Sequence, residues 1–324
     1  VYKRQVMTRK LIIDTDPGVD DAMAILMALA SPELEILGLT TIFGNAAIDV
    51  TTSNALTLLE TVSRSDIPVS VGESKPIASG YLGPVPQVHG ANGLGDAELV
   101  TPNTSASAEG AATFIHRIAA ENPGQVTILA LGPLTNLAVA LQRHPDLPAL
   151  IDRVVIMGGN ARVPGNATPV AEANINNDPE AADLVLGADW PVTMVGLDVT
   201  HQINLTGAAI DRITSRESAG ARLLGNALPL YRGFFEVTNG LDGIYVHDPA
   251  TIAYLLDPEA FTTQSWPVRV ETESFSRGKT WPNLGDTDEA APPAWQGRPR
   301  IEICTEVDSD SVLRLVEQRL TASA

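Results

Sequence analysis

Short β-branched runs alternating with longer amphipathic segments predict an α/β fold, a parallel sheet wrapped by helices. Two further observations support it: polar clusters follow the apolar runs rather than interrupting them, and no internal repeat or low-complexity linker divides the chain. In order, "KLIID", "LEILGLTTI", "IPVSV", "QVTILAL", "RVVIMGG", "WPVTMVGLDV" and "RIEICTEV" are the strand candidates. Between them "DDAMAILMALA", "AAIDVTTSNALTLLETVSR", "SAEGAATFIHRIAAEN", "TNLAVALQRHP", "DPEAADLVLGA" and "DPATIAYLL" carry apolar residues at helical spacing. The stretches richest in Gly and Pro, "SGYLGPVPQVHGANGLGD" and "WPNLGDTDEAAPPAWQGRP", read as long loops. Residues 10–324 are therefore expected to form a single domain, with residues 1–9 an N-terminal extension or expression remnant that contains Met7.

A chain of 324 residues can bury a large core. Its net charge of -18, from 21 Lys and Arg against 39 Asp and Glu, leaves no basic footprint for a nucleic-acid backbone. The single cysteine, Cys304, lies in a strand-like run and reads as a buried structural thiol, which fits a reducing compartment. No apolar run reaches the roughly eighteen residues of a membrane span. A cytoplasmic protein with no membrane partner is the expectation.

The chemistry concentrates where the first strand ends. "DTDPGVDD" places Asp14, Asp16, Asp20 and Asp21 within eight positions. Carboxylates held that close repel one another unless a cation sits among them, and burial raises the cost. Capping and the helix dipole account for Asp20 and Asp21, but not for the pair Asp14 and Asp16. A divalent cation with hard oxygen ligands accounts for all four. The spacing is not an EF-hand, since Gly18, Val19 and Ile25 stand where its ligands and glycine belong, and there is no P-loop. "LIIDTDPGV" also resembles the Asp-x-Asp of haloacid-dehalogenase-like phosphatases, whose first carboxylate, Asp14 in this chain, is the nucleophile. Farther on, Asn160, Asn166, Glu172, Asn174, Asn176, Asn177 and Asp178 offer amides and acceptors with only Arg162 as a cation. That donor set suits a sugar better than a phosphate. Asp178 before Pro179 reads as a helix cap.

"DTDPGVDDAMAILMAL" closely resembles the signature of the nucleoside hydrolases, the inosine-uridine-preferring N-ribohydrolases. The likeness continues in order through "TTIFGN", "HGANGLG", "LGPLTNLA", "VVIMGGN", "GNATPVAEANINNDPEAA", "VTMVGLDVTHQ" and "VHDPATIAYLLDP". It implies an open, mainly parallel, Rossmann-like α/β domain and outweighs the phosphatase reading. It implies a calcium ion held by Asp16, Asp21, Asp248 and the backbone carbonyl of Leu131, with Asp16 also taking a proton from the attacking water. Asp20, Asn45 and Asn174 match residues that hold the 2′- and 3′-hydroxyls, and Asn166 and Glu172 those that grip the 5′-hydroxyl. His247 matches the histidine that helps the base depart, and His89, in a mobile loop, lines the base pocket. Relatives carry a bulky aromatic where Ala173 stands, so the 5′ side is expected to be looser. The His247 position favours a broad or pyrimidine-leaning enzyme acting on uridine, cytidine or inosine as a homodimer or homotetramer. A phosphate-monoester hydrolase and a catalytically silent ribose-binding module are the alternatives.

Overall fold

The computed structural model describes residues 8–78, 81–285 and 291–322. Strand β1 (Arg9–Thr15) leads through the acid loop into helix α1 (Val19–Leu29), and β2 (Leu34–Thr41) into α2 (Ile48–Thr61). Strand β3 (Val69–Val71), the single turn α3 (Pro86–His89) and α4 (Ala111–Glu121) follow. Then come β4 (Val126–Ala130), α5 (Thr135–Arg143), α6 (Leu147–Leu150) and β5 (Ile151–Met157). Helices α7 (Ala173–Asn177) and α8 (Pro179–Leu186) precede β6 (Val192–Val195) and α9 (Leu197–Thr200). The antiparallel pair β7 (Asn204–Thr206) and β8 (Gly243–Tyr245) brackets α10 (Gly207–Thr214) and α11 (Ala219–Asn239). Helix α12 (Asp248–Leu256), β9 (Phe261–Val270), β10 (Thr280–Pro282), β11 (Arg300–Val307) and α13 (Ser309–Ala322) complete the described chain.

Among the described residues the main sheet has nine strands in the order β10-β9-β11-β6-β5-β4-β1-β2-β3. From β3 to β11 every pairing is parallel, and β9 and β10 extend the β11 edge antiparallel. The mainly parallel sheet is as expected. Side chains of β1 alternate between two cores, Leu11 and Ile13 on one face and Ile12 on the other. A strand buried on both faces reads as one apolar run, which is what "KLIID" is. From β1 the chain winds outward through β2 and β3, then returns to build β4, β5 and β6 on the other side. The carboxyl ends of β1 and β4 thus flank a switch point, where such sheets open a ligand crevice. No described helix is long and apolar enough to cross a membrane.

All seven expected strands are present, and β1 begins at Arg9, inside the expected extension; residues 1–7 and 286–290 lie outside the described residues. Strand β6 stops at Val195, and the rest of "WPVTMVGLDV" turns into α9. Helix α1 is buried from Val19 to Ala28 instead of along one stripe, because α11, α12 and α13 pack over it. Other elements fall outside the expected set, β7 to β10, α10, α11 and α13 among them, and two of these show how the pattern is hidden. Strand β9 carries a polar start and Pro267, and α11 contains Gly225, Pro229 and Gly233. Even so, Ala221, Leu224, Leu228, Tyr231 and Phe235 recur at steps of three and four residues and are buried.

Candidate functional site

Asp14, the penultimate residue of β1, has its side chain fully buried at the switch point. Its Oδ1 accepts from Thr40 Oγ1 on β2 at 2.5 Å and from Asn136 Nδ2 on α5 at 2.7 Å, while its Oδ2 has no partner. Burial pushes this carboxyl up to about 7 against the pull of those two donors. Its contacts knit the elements on either side of β1 together.

Asp16, also fully buried, receives the Asn45 N–H on Oδ2 at 2.6 Å, and its Oδ1 is unpartnered. Burial first, then the charge of Asp21, holds its pKa far above the usual carboxylate range. Two glycines make room for this side chain. A Cβ on Gly44 would lie 2.0 Å from Asp16 Oδ2, and one on Gly132 would lie 2.4 Å from Oδ1. Gly132 has ordinary backbone angles, so Gly132→Ala should fold yet displace the Asp16 carboxylate. Were Asp16 a reacting group, as the resemblance implies, kcat should fall about tenfold or more, since misplacing such a group by about 1 Å can cost a hundredfold. Wild-type kcat in a folded variant would show that the position of Asp16 is unimportant.

Helix α1 starts two residues earlier than an Asp20 cap would give. Gly18 is the cap residue, and Asp21, in the first turn, accepts its N–H at 2.9 Å. Asp21 also accepts from Thr15 Oγ1 at 2.5 Å and Asn45 Nδ2 at 3.0 Å. Asp20 receives the Tyr231 hydroxyl but keeps a buried, unpartnered Oδ1. From far along the chain Asp248 enters as the first residue of α12, with His247, not Asp248, as its cap. Asp248 comes within hydrogen-bonding reach of Asp21, and burial followed by Asp20, Asp21 and Asp16 raises its pKa strongly. Burial is also the largest cause for Asp20 and Asp21, both raised to about 6.

Two buried carboxyls in contact need a shared proton or a cation between them. Oxygens of Asp20, Asp21 and Asp248 lie within 4.8 Å of one another, and the unpartnered oxygens of Asp16 and Asp20 have no donor from the protein. This all-oxygen group fits a hard divalent cation. The expected ligand set was Asp16, Asp21, Asp248 and the Leu131 carbonyl. In the structure Asp20 joins the close trio, Asp16 stands beside it, and the Leu131 carbonyl accepts from Asn174 Nδ2 at 2.6 Å.

Above the acids opens a cavity of about 730 Å³, with Asp20, Asn45, Leu131 and Asp248 among its lining residues. Asn166, Glu172 and Asn174 line it too, as do His89, His201, Tyr245 and His247. Asn174 spends both amide hydrogens on the Leu131 and Met157 carbonyls, which leaves its Oδ1 to accept. Glu172 caps α7, taking the N–H groups of Asn174, Ile175 and Gly159 at 2.9–3.1 Å. Asn166 Oδ1 accepts the Ala173 N–H at 3.0 Å. Asp178 is the cap of α8, as expected, and also accepts from Thr135 and Ile77.

His89 stands at 5% exposure, and its Nδ1 accepts the Val19 N–H at 3.2 Å, so in the neutral ring the proton sits on Nε2. Burial lowers its pKa to about 4, and that of His247 to about 3, the latter aided by His201 and His89. Both rings are neutral at pH 7. The stretch after His89 is internally tied, by Gly95 N–H to the His89 carbonyl at 2.7 Å and by Asn54 to the Pro17 and Asn92 carbonyls. His247 Nδ1 lies 2.9 Å from Thr200 Oγ1, in a ring cluster with His201, Tyr245 and Phe235.

Several contributors carry no sequence signal of their own. Tyr231 is buried within α11, and Thr15, Thr40 and Asn136 are ordinary polar residues until the fold sets them against the acids. Asp198 takes the Ala161 and Arg162 N–H groups at 2.6 and 2.8 Å and anchors the Asn-rich loop. Cys304 is buried and far from this chemistry, its thiol pushed up to about 12.

Comparison with known proteins agrees with this geometry. The family model described as inosine-uridine preferring nucleoside hydrolase matches residues 11–314. Uridine nucleosidase 1 of Arabidopsis thaliana is 42% identical over 311 residues, covering 96% of this chain and 93% of that protein. The pyrimidine-specific ribonucleoside hydrolase RihA of Shewanella sp. (strain MR-7) is 43% identical over 269 residues, 83% of this chain and 84% of its own. The solved plant nucleoside hydrolase PpNRh1 superposes with a TM-score of 0.94 at 38% identity, covering 97% of this chain and 99% of that one.

Proposed function

Since the chain belongs to the inosine-uridine preferring nucleoside hydrolase family and is a nucleoside N-ribohydrolase, we propose that it is a calcium-dependent hydrolase with Asp16 as base and uridine as preferred substrate. The observation that carries the mechanism is the buried acid group with unpartnered oxygens beside a cavity that His247 also lines. Asp16, Asp21, Asp248 and the Leu131 carbonyl would hold the cation, with Asp20 close enough to share it. When bound, calcium supplies charge that neutralises the acids and orients water and diol.

The rest is the work of side chains. Asp20, Asn45 and Asn174 present acceptors to the 2′- and 3′-hydroxyls; Asn166 and Glu172 face the 5′ end. Asp16 takes a proton as a water oxygen bonds to C1′ and the C1′–N bond breaks. Positive charge builds on C1′ and the ring oxygen in such a transition state, and the acidic floor favours it. Negative charge builds on the departing base. In the tautomer whose Nδ1 accepts the Thr200 hydroxyl, neutral His247 presents Nε2–H to that base. That hydrogen bond stabilises the charge as it develops; the leaving base takes its proton from solvent and the proton held by Asp16 returns to solvent, so His247 stays neutral and no imidazolate forms. His89, with Nδ1 3.8 Å from Asp20, offers a second Nε2–H. The uridine preference rests on the relatives named for uridine and pyrimidine nucleosides.

The phosphatase reading needs Asp14 as nucleophile and cations for the phosphate, but two donors hold its Oδ1 and Arg162 is the only cation of the Asn-rich loop. A silent binder has no use for a base and a histidine together. Incubating the protein with uridine, cytidine, inosine and their deoxy forms, and assaying free sugar and free base, is the direct test. Release should be fastest from uridine. No sugar from any nucleoside overturns the reading, and faster release from inosine overturns the base preference alone.

A further inference from the structure

We propose that His116, His144 and Asp146 form a surface site for a divalent first-row transition metal, with Zn2+ as the matching ion. The chain has five histidines, and three of them, His89, His201 and His247, line the cavity. The other two stand together elsewhere. The His116 ring, on α4, stacks on that of His144, just past the end of α5, with centroids 4.0 Å apart and planes within 9° of parallel. Asp146, two residues on, puts Oδ2 3.1 Å from His116 Nε2. One ligand atom from each of the three falls within 4.8 Å of the others.

Tetrahedral zinc with bonds of about 2.0–2.1 Å sets its ligand atoms about 3.4 Å apart. The triad therefore has to draw in by little more than an ångström. Both imidazoles are partly exposed and Asp146 is exposed, so rotamer changes suffice and solvent can fill the fourth position. Two imidazole nitrogens and one carboxylate select zinc, cobalt, nickel or copper over calcium, whereas the all-oxygen acid group has the opposite preference. One chain thus carries two cation sites of different chemistry. Helix α5 begins at Thr135 beside the catalytic acids and runs nine residues away from them. Its length of roughly 13 Å separates the sites. A metal bound there would clip α4 to the turn between α5 and α6.

The test uses the full chain without a polyhistidine tag, saturated with calcium, and titrated with Zn2+ by calorimetry and with Co2+ by visible absorption. We expect one zinc per chain and a tetrahedral cobalt spectrum. His116→Gln or His144→Gln should weaken binding by at least the roughly tenfold that loss of even an outer partner causes. The double variant should bind none, with nucleoside hydrolysis unchanged. Zinc uptake of equal stoichiometry and affinity in the double variant overturns the proposal. So does the absence of zinc uptake by the wild type at a hundredfold excess of metal.

Discussion

Asp16→Asn should lower kcat for uridine by about 100- to 10,000-fold, the range that a positioned base contributes. The substitution keeps size and an acceptor for the Asn45 N–H, so the loss reports removal of the carboxylate, as base and as cation ligand, and not collapse of the loop. Asp16→Ala should lose at least as much. The informative control is Asp14→Asn, which keeps an acceptor for Thr40 and Asn136. It should retain far more activity than Asp16→Asn. Were the order reversed, Asp14 would be the reacting carboxylate and the mechanism would have to be rewritten. A free-ribose assay under saturating uridine decides it.

The second large effect concerns the cation. Stripping calcium with a chelator should abolish ribose release, and restoring it should recover activity. Stability should respond too, with a definite sign. Burial raises Asp14 to about 7 and Asp20 and Asp21 to about 6, from an ordinary value of 3.8. A carboxyl whose folded pKa lies above its unfolded one favours the fold below about 4 and loses that contribution as pH rises through 6 to 7. The cation-free protein is thus penalised more at pH 8 than at pH 5, because Asp14, Asp20 and Asp21 must ionise there. Calcium at a hundredfold excess over Kd should add about 3 kcal/mol. The rise in Tm should be larger at pH 8 than at pH 5, and equal rises would rule out these acids as the binding group. The histidines act the other way. With folded values near 4 and 3 for His89 and His247, below the usual 6.5, their stabilising contribution is present above pH 6.5 and lost as pH falls toward 4. That acid limb should persist with calcium bound.

Much of the parallel sheet could be read from the sequence because each buried strand is a short apolar run with a polar cluster behind it. The antiparallel edge could not, since β9 interrupts its alternation with Thr262, Thr263 and Gln264 and then Pro267. The acids were legible as a group because like charge at such density demands an explanation. Their individual duties were less so. Asp20 and Asp16 differ by which donors reach them, Tyr231 from α11 or the backbone of Asn45, and those donors are set by packing between distant segments. Tyr231 itself sits in a helix whose glycines and proline hide its period. Glu172 shows the same limit, since its three backbone donors exist only once α7 and the Gly159 turn have formed.

Helix α12, packed on α1, delivers Asp248 to acids that left the ribosome more than half a chain earlier. The proposed cation site is consequently a product of long-range closure, and no fragment that stops short of residue 248 can contain it. Until that contact forms, Asp16, Asp20 and Asp21 repel one another without their fourth wall. On the proposed mechanism, competence for the reaction and completion of the tertiary structure arrive in the same event, and a nick or truncation that frees α12 should silence the enzyme even where the other proposed site residues are intact.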